Sequence, residues 1–206
     1  VARCGAEPIP MGIAKDNAEA LRALMAQGLA ADILLVSGGV SAGDYDLVPK
    51  TLEKIGVECV FHKVCLKPGK PIWFGIFKRP AASPTLVFGL PGNPVSALVC
   101  FELFVRPTLK FVSGQSLEMQ SGSHRMAKLV GSVKGAGDRP VYHPCNLKLF
   151  DNCLFVEALQ WGGSADLLGF SRANGLLVLP KNCGDYREGD SVQVIPLDSR
   201  FYHESE

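Results

Sequence analysis

Apolar runs and amphipathic segments alternate along the first half of the chain. Ile33–Val36 are four consecutive apolar residues, a pattern typical of a strand buried in a parallel sheet. The helix before this strand is predicted to begin at Asp16, because Asp16 as N-cap and Glu19 three residues later resemble a capping box. Its apolar face is formed by Leu21, Leu24, Met25 and Leu29.

The rest of this half continues the alternation of strands and helices. The predicted elements are a helix from about Leu47 to Ile55, a strand over Val57–Val60, a hairpin of Ile72–Phe77 with Thr85–Phe88, and a long helix beginning near Pro94 or Val95. Such an order predicts right-handed crossovers and an α/β domain with a parallel sheet and helices on both faces. Ligands of such sheets bind beyond the carboxyl ends of the strands.

Short strands separated by turn residues replace this pattern after Ser113–Ser116. They are predicted at Ala127–Val133, Asn146–Phe150, Leu154–Ala158, Gly175–Leu179 and Ser191–Ile195. Many short strands in roughly 85 residues indicate a small β-barrel or sandwich. We therefore expect an α/β domain over residues 1–115 and a small β-barrel over residues 116–206.

The composition excludes several classes of protein. Of the 206 residues, 47% are hydrophobic and 20% are charged, which is sufficient for a packed core. The net charge of +1 gives no overall field that favours nucleic acid or a membrane surface, and no apolar run reaches the roughly 18 residues of a membrane span. The seven cysteines form no C-x-x-C pair and lie mostly in apolar surroundings, so we expect buried, reduced thiols in a cytoplasmic protein.

Glycines, serines and two aspartates directly follow the strand at Ile33–Val36. The backbone N–H groups of a glycine-rich turn can converge on an anion such as phosphate. Asp44 and Asp46 come next and can hold Mg²⁺ against phosphate oxygens. The same stretch also fits a tight turn capped by one of these aspartates, so the residues alone leave both interpretations open. The candidate anion-binding residues are Ser37, Gly38, Gly39, Ser41 and Gly43.

A turn with two lysines is a second candidate. Lys67 and Lys70 flank a Pro-Gly pair, and the prolines restrict the loop that presents the two ammonium groups. This arrangement suits an oxyanion, and a solvated surface turn is the alternative. A third candidate is the loop Gly89–Pro94, which joins a strand to the long helix and places Pro94 in its first turn.

These three stretches together resemble the molybdopterin molybdenumtransferase family, which includes bacterial MoeA and the E domain of gephyrin. The matching residues are Ser37–Asp46, Lys67–Pro71 and Gly89–Ser96, and Ser171–Pro180 resembles the family's C-terminal domain. The resemblance implies a molybdopterin-binding α/β domain followed by a small β-barrel. It also implies an enzyme that uses Mg²⁺ to insert molybdate into adenylated molybdopterin and releases AMP.

The resemblance implies a role for each candidate residue. Asp46 and Asp16 match aspartates at the metal and phosphate end, and Asp44 is the second expected metal ligand. Lys67 and Lys70 match lysines suited to molybdate. Arg139 and Ser164 are similar to second-domain residues that close over molybdate. The residues expected around the pterin and its phosphate are Ser37, Gly38, Gly39, Ser41, Gly43, Pro91, Gly92 and Pro94.

The sequence also departs from the family pattern. The family's opening strand and helix and its N-terminal domains, which build a homodimer, have no match here. We therefore expect a C-terminal portion that has little activity by itself and a homodimer only in a full-length protein. The alternatives are an adenylyltransferase that activates molybdopterin, a non-catalytic gephyrin-like scaffold, and a phosphate-binding regulator that shares only the fold.

Overall fold

The computed structural model describes residues 1–15, 17–40, 47–115 and 124–197. It contains two compact units, one of Val1–Val64 with Gly69–Arg106 and one of Cys65–Pro68 with Pro107–Glu206. The predicted domain boundary at residue 115 stays a prediction. The predicted site residues that lie outside the described ranges are Asp16, Ser41, Gly43, Asp44 and Asp46.

The first unit is an α/β structure. Its elements are a short 3₁₀ turn at Ala2–Cys4, α1 (Ala18–Gly28), β1 (Ile33–Ser37), α2 (Leu47–Lys54), β2 (Glu58–His62), β3 (Trp73–Phe77), β4 (Thr85–Leu90) and α3 (Pro94–Cys100). A π-helical segment, Phe101–Val105, continues α3 and leads into α4 (Arg106–Val112), which belongs to the second unit from Pro107 onwards. These bounds agree closely with the predicted elements.

The sheet of the first unit has the strand order β1-β4-β3-β2. Strands β1 and β4 pair in parallel, whereas β3 pairs antiparallel with both of its neighbours. Three strands therefore run in one direction, and β3 runs against them because short connections join it to β2 and β4. The predicted α/β class and the predicted hairpin of β3 with β4 are both confirmed.

Apolar side chains lie on both faces of this sheet. On one face Trp73 and Val87, which are fully buried, pack in a core with α1 and α2. The alternate residues Phe74 and Phe88 point to the other face, where their ring centroids lie 4.7 Å apart. On that face the ring of Phe104, from the π-helical segment, lies 6.0 Å from the ring of Phe61. Helices therefore cover both faces, as predicted.

Asn17 caps α1, so the predicted N-cap at Asp16 was wrong. The Asn17 backbone is extended, and its side-chain oxygen accepts a hydrogen bond from the Ala20 amide at 2.8 Å. The helix therefore begins one residue later than predicted. The third helical position is then Ala20, which has no side chain that could complete a capping box.

The second unit is a closed five-stranded β-barrel. Its strands are β5 (Arg125–Val130), β6 (Val141–Phe150), β7 (Cys153–Ala158), β8 (Gly175–Leu179) and β9 (Ser191–Pro196), with α5 (Leu167–Ser171) between β7 and β8. The strand order around the barrel is β5-β7-β6-β8-β9. Alternate residues such as Leu129, Leu147 and Leu177 fill the interior. The predicted barrel is confirmed, and β6 begins five residues earlier than expected.

The prediction of buried thiols is confirmed for only some of the seven cysteines. Cys100 and Cys145 are buried, whereas Cys59, Cys65 and Cys153 are exposed. Cys153 opens β7 directly after a turn in which Asp151 and Asn152 have positive φ, so it lies at a strand end. All seven cysteines are free.

Within the described ranges, no helix combines the length and the apolar character that crossing a membrane requires.

Replacing Gly175 by alanine is expected to destabilise the barrel by about 1–3 kcal/mol. The added Cβ would lie 2.6 Å from Leu147 Cδ1 and 3.1 Å from Cys145 Sγ, and both side chains are buried. Gly184→Ala is the matched control, because nothing lies within 4 Å of its added Cβ. Urea unfolding measures both variants, and equal losses of stability would contradict this packing.

Thiol labelling at pH 8 is expected to separate the cysteines into two groups. Burial raises the pKa of the Cys100 thiol to about 12 and also raises the pKa of Cys145, so little reactive thiolate forms there. Cys65 and Cys153 are exposed and should react within minutes. Mass spectrometry of labelled peptides checks this, and labelling of Cys100 before unfolding would contradict the described core.

Candidate functional site

The loops after β1 and β4 meet at one edge of the sheet. Ser37 ends β1 opposite Leu90, which ends β4. The Gly38 amide donates to the Leu90 carbonyl at 3.0 Å. A Cβ added to Gly92 would lie only 3.4 Å from the Gly38 Cα, so the two loop backbones are in van der Waals contact. The carboxyl ends of two parallel strands therefore meet here.

Two positions of the first loop require glycine. Gly38 and Gly39 have φ angles of +89° and +65°, which side chains rarely adopt. A Cβ on Gly39 would also lie 2.7 Å from Val48 Cγ2 in α2. The loop backbone therefore turns sharply after β1 while it stays close to the start of α2.

Val40 anchors the continuation of this loop. Its side chain is 1% exposed and lies over Gly89, where an added Cβ would be 2.6 Å from Val40 Cγ1. Its carbonyl oxygen is 3.1 Å from Nε2 of His62 at the end of β2. Because a carbonyl oxygen only accepts, His62 Nε2 carries the proton of this bond.

His62 is a residue that sequence analysis missed. Its partner in the hydrogen bond, Val40, is 22 residues away in the chain. Two strands, β4 and β3, lie between β1 and β2 in the sheet. A local sequence pattern cannot indicate a hydrogen bond between residues at opposite edges of a sheet. Only the strand order could have indicated the bond between His62 and Val40.

The second loop leads into α3. Pro91 is buried, Gly92 and Pro94 are exposed, and Pro94 occupies the first turn of the helix as predicted. The Ala97 amide donates to the Asn93 carbonyl at 2.9 Å, which starts the helical hydrogen bonding. The positive end of the helix dipole therefore lies at this loop.

The predicted lysines belong to different units. Lys70 is in the first unit, where its carbonyl accepts from the Val64 amide at 2.9 Å. Lys67 is in the second unit, where its amide donates to the Pro140 carbonyl and its carbonyl accepts from the Tyr142 amide, both at 2.9 Å. Both lysine side chains are exposed.

The backbone pairing of Lys67 brings it next to Arg139. Lys67 forms a parallel bridge with Val141, at the start of β6, and Arg139 precedes the Pro140 that accepts its hydrogen bond. Arg139 Nε lies 3.6 Å from Asp138 Oδ1, but Asp138 is largely exposed, so this ion pair is weak. Two cationic side chains therefore originate from adjacent backbone segments of the second unit.

His143 is a second residue that sequence analysis missed. Its ring packs edge-on against Trp161, with centroids 5.4 Å apart, and its Nδ1 lies 2.9 Å from the Pro144 carbonyl. Burial lowers the pKa of His143, and the positive charge of Lys67 lowers it as well. The hydrogen bond to Pro144 acts in the opposite direction, but the pKa stays below the ordinary value for histidine. The ring is therefore mainly neutral at pH 7.

The loop that contains Ser164 is held by Asp166. The two carboxylate oxygens of Asp166 accept from the Gly162 amide at 2.9 Å and from the Gly169 amide at 2.8 Å. These bonds lower the pKa of Asp166. Trp161, which precedes Gly162, connects this loop to His143.

A metal site cannot be built from the described residues alone. Within residues 1–15, 17–40, 47–115 and 124–197, no three His, Cys, Asp or Glu side chains form a cluster that could hold a metal ion. The aspartates predicted as ligands, Asp44 and Asp46, lie outside these ranges.

Comparison with known families identifies this arrangement. Residues 1–110 match the model of the probable molybdopterin binding domain, and residues 126–197 match that of the MoeA C-terminal region, called domain IV. The chain belongs to the MoeA family. This assignment confirms the resemblance found in the three loop motifs.

Relatives of this MoeA-family chain include proteins from very different organisms. Gephyrin of Dictyostelium discoideum is 35% identical over 90% of this chain and 28% of its own length. A molybdopterin molybdenumtransferase of a Nostoc species is 35% identical over 94% of this chain and 44% of its own length. The crystal structure of a molybdopterin biosynthesis MoeA protein from Pyrococcus horikoshii is 28% identical and aligns with a TM-score of 0.73 over 96% of this chain and 46% of that one. This chain thus spans less than half the length of these relatives.

Replacing His62 by alanine is expected to loosen the first loop of this MoeA-family site. The Val40 carbonyl would lose its donor while it stays buried, which costs about 1–3 kcal/mol. Amide hydrogen exchange at Gly38 should accelerate about ten-fold or more, in line with that cost. His62→Gln keeps a side-chain N–H donor and should recover part of the protection. Unchanged exchange in His62→Ala would show that the bond does not hold the loop.

Proposed function

We propose that this chain acts in molybdenum cofactor biosynthesis by inserting molybdate into adenylated molybdopterin, with release of AMP. The observation that carries the proposal is the contact between the Gly38 and Gly92 loops at the ends of two parallel strands, in a chain of the MoeA family. The relatives named molybdopterin molybdenumtransferase support an enzyme of this class.

The two loops of the first unit suit the phosphates of the substrate. Neither Gly38 nor Gly92 has a Cβ, so a phosphate can approach both backbones closely. The α3 dipole adds positive potential at the second loop. In this proposal Ser37, Gly38, Gly39, Pro91, Gly92 and Pro94 bind the pterin phosphate end, together with Ser41 and Gly43.

The cationic side chains suit molybdate. Lys67, which is exposed, and Arg139, which is partly buried, originate from paired backbone segments of the second unit. A tetrahedral dianion interacts favourably with two such cations, and an Arg guanidinium can donate two parallel hydrogen bonds to it. Ser164 is assigned to the same oxyanion. The resemblance also assigns Lys70, an exposed lysine of the first unit, to molybdate.

The proposed reaction needs no nucleophile from the protein. The two dithiolene thiols of the substrate displace one oxygen of molybdate, which leaves as water with the two thiol protons, and a water molecule cleaves the phosphoanhydride to release AMP. Both reactants are polyanions, so the contribution of this chain is to reduce their mutual repulsion and to hold them in place. Backbone N–H groups, lysines and an arginine are well suited to that task.

Further expectations from the resemblance remain part of the proposal. They are Mg²⁺ at Asp44 and Asp46, a role for Asp16 at the phosphate end, a homodimer of the full-length protein and a cytoplasmic location. Mg²⁺ would neutralise phosphate charge when bound.

An adenylyltransferase that activates molybdopterin is the main alternative. That enzyme shares the α/β fold but lacks the K-P-G-K turn and the appended β domain. The match of residues 126–197 to the MoeA C-terminal region therefore favours molybdate insertion. Formation of adenylated molybdopterin from ATP by this chain would favour the alternative.

Lys67→Met is expected to reduce molybdate-dependent AMP release by about ten-fold or more, because one cation of the oxyanion site is lost. Lys148→Met, which removes an exposed lysine from β6, is the matched control and should keep the wild-type rate. The assay supplies adenylated molybdopterin and molybdate, and measures AMP and pterin-bound molybdenum. Equal rates for the two variants would contradict the assignment of Lys67.

A further inference from the structure

We propose that Lys63 binds a phosphate of the substrate at the edge of the first unit's sheet where β1 and β4 end. It would be a further binding residue of the proposed reaction. This inference rests on the proposed function, because it takes the Gly38 and Gly92 loops as the phosphate site. It concerns only residues of the first unit.

Lys63 follows a strand that ends at the same edge as β1 and β4. Strand β2 pairs antiparallel with β3, and β3 pairs antiparallel with β4, so β2 runs in the same direction as β4 and its parallel neighbour β1. His62, the last residue of β2, therefore lies at the edge where Ser37 and Leu90 end their strands. Lys63 is the first residue beyond that end, and ligands of such sheets bind there.

The end of β2 is attached to the first glycine loop. His62 Nε2 donates to the Val40 carbonyl at 3.1 Å, and Val40 is two residues after Gly38. The side chain of Lys63 therefore starts one residue away from a group that contacts the loop proposed to bind phosphate.

The backbone of Lys63 is strained. Its φ of +67° lies in the left-handed region, which glycine adopts without steric cost and which long side chains rarely adopt. The other non-glycine residues with positive φ in the described ranges are Ala81, Asp151, Asn152 and Asn182. Three of these four are Asp or Asn, which tolerate this conformation. Only at Lys63 does the strain coincide with a long cationic side chain, and strain at the edge of a site indicates a functional role.

Backbone hydrogen bonds hold Lys63 in this conformation. Its amide donates to the Ile72 carbonyl at 2.8 Å, and the next amide, that of Val64, donates to the Lys70 carbonyl at 2.9 Å. Ile72 is fully buried, and its own amide donates to the Gly69 carbonyl at 3.2 Å. These bonds also place Lys63 and Lys70 on adjacent backbone segments.

Lys63 and Lys70 carry two positive charges without a counterion from the described ranges. Both side chains are exposed, and neither ammonium forms an ion pair with a described carboxylate. At the other end of β2, in contrast, Lys78 Nζ lies 2.9 Å from Glu58 Oε1. Two neighbouring cations repel each other, and a bound polyanion relieves that repulsion. The phosphoanhydride of the proposed substrate is a polyanion of this kind.

Inorganic pyrophosphate is a suitable probe, because it contains the phosphoanhydride of the substrate without its rings. Calorimetric titration at pH 7.5 should show pyrophosphate binding about five-fold or more weaker to Lys63→Met than to the wild-type chain, because one charge-assisted hydrogen bond is lost. Lys63→Arg keeps the charge and should recover most of the affinity. Lys54→Met, which removes an exposed lysine from the last turn of α2, is the matched control and should bind as the wild type does. Equal affinity of Lys63→Met and the wild type would overturn the inference.

Lys63→Gly separates the charge from the backbone strain. This variant removes the ammonium and relieves the left-handed conformation, so pyrophosphate affinity should fall as in Lys63→Met while the urea midpoint stays at or above the wild-type value. Ala81→Gly is the control, because Ala81 has a φ of +55° in the loop between β3 and β4, at the opposite end of the sheet. It should keep both its midpoint and its affinity. Wild-type affinity in Lys63→Gly, or a lower midpoint, would overturn the inference.

Amide NMR of the same titrations separates this inference from the proposed function. If pyrophosphate shifts the Gly38 and Gly92 signals and Lys63→Met binds it as tightly as the wild type, the phosphate site stands and the role of Lys63 fails. If the wild-type chain binds no pyrophosphate, or binds it while both glycine signals stay in place, the phosphate site and the role of Lys63 are both contradicted.

Discussion

The direct contact between the Gly38 and Gly92 backbones is the constraint on which the first unit's site depends. A Cβ at Gly92 would touch the Gly38 Cα at 3.4 Å, which shows how closely the two loops approach each other. The contact exists because β1 and β4 are parallel neighbours that end in register. Parallel pairing brings two loops to one edge of the sheet, and glycine lets a ligand approach their backbones closely.

Packing and hydrogen bonds from neighbouring elements support this edge. The Val40 side chain packs against Gly89, which has no side chain to occupy that space. His62 of β2, the strand at the opposite edge of the sheet, donates a hydrogen bond to the Val40 carbonyl. In the second unit, two backbone hydrogen bonds attach Lys67 to the start of β6. Both units therefore attach the groups that we propose to bind anions to strand ends, where less ordering entropy is lost when a ligand binds.

Local sequence patterns predicted most of the fold but not its long-range contacts. The apolar run of β1, the hairpin of β3 with β4 and the five barrel strands are local signals, and all are confirmed. The cap at Asn17 was missed because Asp16 and Glu19 offered a competing local pattern. His62 and His143 were missed because their environments are created by strand order and by the Lys67 bridge, which no periodicity reports.

The most direct test of the central claim is an amide NMR titration of this 22.1 kDa chain with adenylated molybdopterin. If the paired loops bind the substrate phosphates, the amide signals of Gly38, Gly39 and Gly92 should shift together and saturate at one ligand concentration. If those signals stay in place while the substrate binds and shifts others, the contact between the two loops has a purely structural role and the proposed site is wrong.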